Sequence, residues 1–186
     1  RYGQRLWVDL RSGLVLRADV LGPRQQVLES SAFSQVDVDI KPRPASVLQP
    51  MKRLDGYRKV RPLHEATQLQ TEGWTLNAPP AGFQLSSCIR RVLDPADGAD
   101  TAPVVQVVYS DGLTYVSLFI EPIGHMTQRQ PLSSQLGATH TLMQAHDADW
   151  WVTVMGDVPP ETLKRFHQAL ERRRCSHQPN LCRSLH

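Results

Sequence analysis

Cys175, His177, Cys182 and His186 give the end of this chain the pattern Cys-x-His-x4-Cys-x3-His. Thiolates and imidazoles are the ordinary ligands of zinc, but this spacing is not a standard one, and a flexible tail is the simpler reading. In an oxidising compartment Cys175 and Cys182 could instead pair. Cys88 stands alone. It has no base near it in sequence and reads as a small buried hydrophobe. Three cysteines make no disulfide framework. The seven histidines are scattered. His140 and His146 flank a strand end and read as surface residues, because nothing supplies the orienting carboxylate a ligand histidine needs. Asp147 and Asp149 are paired carboxylates, yet they sit where a hairpin turn favours Asp. There is no Gly-rich phosphate loop, no Gly-x-Ser-x-Gly and no His-Glu-x-x-His. No nucleophile, base and orienter can be assembled, so a hydrolase is set aside, and no metal or cofactor is called for.

The 186 residues suffice for one ordinary domain or two small ones. Net charge is +3 but unevenly spread: residues 1–70 carry +5, residues 71–171 carry −6, and the last 15 residues carry +4. Lys41–Arg61 holds seven basic residues against Asp55 alone. Such a block suits a solvated linker, or contact with anions such as lipid phosphates or the acidic domain. Lys52, Arg53, Arg58 and Lys59 are the candidate anion and lipid contacts.

The elements that must position any site centre on Pro103–Pro122. Val104–Tyr109 and Leu113–Ile120 are β-branched and aromatic runs around Asp111-Gly112, a hairpin signal in which both turn residues are expected at positive φ. Tyr115, Ser117 and Phe119 share one face of the second arm, and Val116, Leu118 and Ile120 the other. Both faces are largely apolar, which predicts a central strand covered on both sides.

Upstream, Arg5–Leu10, Leu14–Val20 and Gln26–Ile40 alternate as an antiparallel meander. So short a meander cannot close a sheet alone, so these strands are expected to finish a larger domain lying upstream of Arg1. Prolines at 42, 44, 50 and 62 predict an irregular linker, with a helical turn near Leu63–Gln70. Trp74–Leu76, Phe83–Arg90, Ala138–Met143 and Trp150–Met155 read as strands, and Ile123–Gln135 as a polar loop containing His125. Trp150 and Trp151 point to opposite faces, so one indole is expected in the core and the other exposed. Pro159-Pro160-Glu161 opens a helix with the stripe Leu163, Phe166, Leu170, and Arg172–Arg174 are expected at its C-terminal end. The fold class is α+β: a meander, a basic linker, then a small antiparallel-sheet domain with a C-terminal helix. The expected boundaries are 1–41, 42–70 for the linker, 71–171 and a flexible tail at 172–186.

Trp7-Val8-Asp9 with Ser12-Gly13-Leu14 and Leu16-Arg17 resembles the W-x-D-x-x-(T/S)-G-L-x-L-R hairpin of the LolA-like fold. Gly73-Trp74, Pro80–Phe83, Val108–Gly112, Val116–Pro122 and Val152–Pro159 together resemble the C-terminal domain of the RseB/MucB family. The resemblance covers about residues 3–171, with the motifs in order. It implies a periplasmic, two-domain, non-enzymatic regulator of the sigma-E envelope stress response. The LolA-like half-barrel would sense lipid-bearing ligands. The smaller domain would hold the periplasmic region of an RseA/MucA-type anti-sigma factor and shield it from proteolysis until ligand releases it. A LolA-type periplasmic lipoprotein or lipid carrier is the alternative. The implied partners are that anti-sigma factor and a lipid or lipoprotein, not nucleic acid, and a homo-oligomer is left open. For the anti-sigma segment the candidate contacts are Tyr109, Tyr115 and Phe119 beside the hairpin, with Arg90 and Arg91 at the rim. The competing reading makes all three aromatics core.

Overall fold

The structure, a computed structural model, describes residues 1–41, 43–57, 64–91, 103–123 and 130–173. Two compact units divide the chain, Gly3–Pro62 and Leu63–His186, the latter taking in Arg1 and Tyr2.

The first unit is an antiparallel sheet of β1 (Gly3–Val8), β2 (Val15–Leu21) and β3 (Val27–Ala32), in that order. Asp9 and Gly13 make the first turn. Ser12 donates to the Asp9 carboxylate through its backbone N and its hydroxyl, at 2.8 and 2.5 Å. Gly13 sits at φ +73°, where a side chain is strained. The Asp-x-x-Ser-Gly spacing is therefore a turn device, and the Ser12 hydrogen bonds hold the Asp9 carboxyl below its ordinary range. Inside the sheet Asp19 is buried. It accepts from Arg17 at 2.8 and 3.1 Å and from Ser30 Oγ at 2.7 Å. Arg17 also lies over the Trp7 ring, 4.6 Å from its centroid. The third strand stops at Ala32, so the expected strand character of Val36–Ile40 is not found.

The linker differs from expectation. A helix, α1 (Pro44–Lys52), forms where the prolines predicted irregular chain. Pro44 lies in its first turn, where a missing N–H costs nothing. Pro50 falls in the last turn, where little helix remains to break, and Arg53 N closes the end onto Pro50 O. The helix buries none of its residues. Instead of a helical turn at Leu63, β4 (His64–Ala66) pairs with the next sheet.

The second unit is built on seven antiparallel strands. They are β4, β6 (Gln84–Arg91), β7 (Val104–Ser110), β8 (Tyr115–Pro122), β9 (Leu132–Leu136), β10 (Thr139–His146) and β11 (Trp150–Gly156). The order is β4-β6-β7-β8-β11-β10-β9, which puts β8 at the centre. One face is the core. Val105, Val107 and Tyr109 face Ile120, Leu118 and Val116 across the hairpin. Val152 and Val154 continue the layer on β11. Helix α2 (Pro160–Ala169) covers it with Leu163 and Phe166, the Phe166 ring meeting Phe83 edge-on at 5.3 Å. Burying these side chains is the main drive for the domain.

Several local expectations are overridden. The β7–β8 connection has four residues, Asp111–Thr114, and among its first two only Gly112 has positive φ, +89°. Asp111 accepts from the backbone N of Leu113 and of Thr114, each at 3.0 Å, and so caps the loop without leaving negative φ. The polar stretch 123–135 contributes β9. The last helix ends at Ala169, and β12 (Leu170–Arg172) pairs with β5 (Trp74–Leu76), so Arg172 sits in a strand opposite Trp74. His140 is buried, not on the surface, because it faces the core side of β10 with Leu142. Trp151 is buried as well, so the exposed indole expected there is absent. Arg58, Lys59, His125, His177, His186, Cys175, Cys182 and Arg174 lie outside the described residues.

Candidate functional site

The sheet's outer face, opposite α2, gathers the residues able to hold a partner. Register defines a row across it: Ile89, Gln106, Phe119, Thr153, Met143 and Leu132, one from each strand from β6 to β9. Phe119 is at the centre and half-buried. The Arg91 guanidinium lies 5.6 Å from its ring centroid, within range of a cation–π contact. Arg91 Nε is buried with no hydrogen-bond partner among the described residues. Tyr115, at the hairpin end of the same face, is 60% exposed. The full cover expected for β8 is thus present on one face only. Large aromatic rings, one of them with a polar tip, and an Arg are residue types enriched at interface centres.

The other candidates fall elsewhere. Tyr109 is 7% exposed and lies on the core face, its ring 5.5 Å from Phe166. Burial raises its hydroxyl above the ordinary phenol range. Period-two alternation puts it on the opposite side of the sheet from Phe119 and Tyr115, so the three aromatics do not share a surface. Arg90 also turns away from Phe119. Its Nη2 holds Glu72 at 2.7 and 2.9 Å, and Thr67 Oγ1 donates to the same carboxylate at 2.6 Å. That pair ties the Thr67–Glu72 loop to β6. Lys52 and Arg53 end α1 and are exposed. Val47, Leu48 and Met51 are exposed on the same helix. The first unit also has a cleft of about 290 Å³ lined by Val15, Leu16, Ala18 and Phe33, with Arg17 at its side. This is near the lower limit of ligand pockets.

The Met143–Thr153–Phe119 row was missed from sequence, because it depends on which residues pair across three strands. Its one legible signal was the Tyr115, Ser117, Phe119 alternation. Among the described residues no group of three or more His, Cys, Asp or Glu could hold a metal ion. Burial pushes the Cys88 thiol up to about 11, which leaves it protonated and inert at neutral pH.

Comparison with known proteins finds relatives of this fold. The family profile of the MucB/RseB C-terminal domain matches residues 68–171, and that of the MucB/RseB N-terminal domain matches residues 1–51. The sigma factor AlgU regulatory protein MucB of Pseudomonas aeruginosa is 32% identical over 169 residues, covering 89% of this chain and 50% of that protein. The sigma-E factor regulatory protein RseB of Escherichia coli K12 is 26% identical over 173 residues, covering 92% and 51%. The chain therefore spans about half the length of the curated relatives it matches. The structure of the Pseudomonas aeruginosa MucA/MucB complex superposes with a TM-score of 0.69 at 28% identity, covering 94% of this chain and 56% of the other. A crystal structure of MucB in complex with MucA(peri) gives 0.68.

Proposed function

Because the chain belongs to the MucB/RseB family, we propose that it is the part of a periplasmic, non-enzymatic sigma-factor regulator that holds an anti-sigma factor of MucA/RseA type. The observation that carries this reading is the likeness, over 94% of the chain, to MucB solved together with MucA. In this reading the anti-sigma segment lies extended on the outer face, packing on Phe119 and Tyr115 with Arg91 beside it. Tyr109 takes no part, since its ring is in the core. A bound segment is withheld from proteases, and lipid-bearing ligand releases it. The acyl chain would enter the Val15–Phe33 cleft, and the cations of α1 would meet the lipid phosphate.

Titration of a synthetic anti-sigma periplasmic peptide into the protein tests this. Phe119→Ala should weaken binding by about 10- to 30-fold, the range for an aromatic hot spot, and leave the protein folded. Binding that survives both Phe119→Ala and Tyr115→Ala unchanged would move the partner to another surface. A native mass spectrum showing tightly retained lipid, with no peptide binding, would favour the lipid-carrier alternative.

A further inference from the structure

Arg1 and Tyr2 stand just ahead of β1, yet both belong to the second unit. Tyr2 is buried, and its hydroxyl oxygen lies 2.8 Å from Nε2 of His140, a buried residue near the start of β10. The two rings are tilted, with centroids 6.1 Å apart. Arg1 adds an ion pair, its Nη1 2.8 Å from Asp111 Oδ2 on the β7–β8 loop. With the Arg1 side chain half exposed, that pair adds only a modest hold. The buried Tyr2–His140 contact therefore carries most of the attachment.

Burial raises the Tyr2 hydroxyl, which keeps its proton and can donate it. A neutral imidazole with its proton on Nδ1 accepts at Nε2, whereas an imidazolium accepts at neither nitrogen. A buried imidazolium also needs a carboxylate to offset its lost hydration. The charged groups on the surrounding elements are engaged elsewhere. Asp111 holds Arg1 and caps its own loop. Asp157, just after β11, accepts from Thr139 Oγ1 at 2.5 Å. On α2, Glu161 pairs with Lys164 at 2.8 Å, Arg165 is exposed, and His167 packs on His146. The residues opposite His140 on the neighbouring strands, Gly156 and Gln135, carry no charge. We propose that Tyr2 and His140 form an acid-released anchor, in which neutral His140 holds the Tyr2 hydroxyl at the start of β10 and protonation of His140 lets it go. Gly3, the first residue of β1, follows Tyr2 directly, so acid frees the residue from which that strand starts. The depressed range in which burial holds the His140 imidazole places this release on the acid side of about 6.5.

NMR of the full chain with ring-labelled tyrosine and histidine, from about pH 8 to about pH 5, tests the proposal. Tyr109 lies in the core, while Tyr57 and Tyr115 are exposed and give the reference for a released ring. The Tyr2 signal should move from a buried to an exposed position, sharing one midpoint with the His140 imidazole. Tyr109 should not move over that range, which shows that the domain stays folded. Tyr2→Phe removes the donor that favours neutral Nε2, so the His140 midpoint should shift up toward about 6.5. His140→Gln keeps an acceptor and cannot titrate, so the release should be lost. A release that persists in His140→Gln overturns the proposal, because another group such as Asp111 would then be responsible. So does a Tyr2 signal already in the exposed position at neutral pH, or one that stays buried while His140 titrates. Should His140→Gln disturb Tyr109, the Tyr2→Phe midpoint decides instead, and an unshifted midpoint overturns the proposal.

Discussion

His167 on α2 and His146 on β10 meet edge to face, their ring centroids 5.6 Å apart. Trp74 meets His146 at 5.2 Å, and His167 Nε2 is buried with no hydrogen-bond partner among the described residues. The helix is thus seated on the sheet partly through a histidine that is packed as a neutral ring.

That seat sets a pH dependence. Burial first, and His146 second, hold His167 below the ordinary imidazole range. Burial does the same to His140. Between that depressed value and about 6.5 the unfolded chain binds more protons than the folded one. Stability is therefore fully present above about pH 6.5 and is lost as pH falls through the folded value. Urea midpoints should drop between pH 7.5 and 5, and His167→Phe should make the drop smaller. An equal drop in the variant would place the titration elsewhere.

The aromatics of the hairpin should separate cleanly by face. Tyr109→Ala removes a ring packed on Phe166 and should cost about 3–5 kcal/mol. Tyr115→Ala removes an exposed ring and should stay within about 0.5 kcal/mol. Chemical denaturation of the two variants checks the difference, and similar losses would contradict the register.

Two glycines are required for different reasons. A Cβ on Gly112 would meet nothing within 4 Å, so its need is positive φ alone, and Gly112→Val should cost about 1–3 kcal/mol. A Cβ on Gly156 would lie 2.3 Å from the Tyr115 carbonyl oxygen, so even Gly156→Ala must push β11 from β8. That change should lower the melting temperature more than Gly112→Ala does.

Binding to anionic vesicles should fall with added salt, because the cations ending α1 are solvent-exposed. Charge reversal at Lys52 and Arg53 should weaken it further. Salt-independent binding that tolerates the reversal would remove electrostatics from lipid contact.

Where local chemistry and burial agree, the residues alone were enough. The Asp9–Gly13 turn, the β7–β8 hairpin and the Pro160 start of α2 each rest on interactions within a few residues, and their signals were legible. The two faces of β8 were legible too, since alternation needs no knowledge of neighbours. What lay beyond reach depended on distant pairing. Leu170–Arg172 carries helical residue types, yet Leu170 pairs with Leu76, and the ladder to β5 outweighs a last half-turn of helix. Leu132–Leu136 has weak strand propensity and becomes a strand because β10 offers it an edge. Tyr109 and Tyr115 look alike in sequence, and only the register of β7 on β8, with α2 over one face, sends one ring to the core and the other to water.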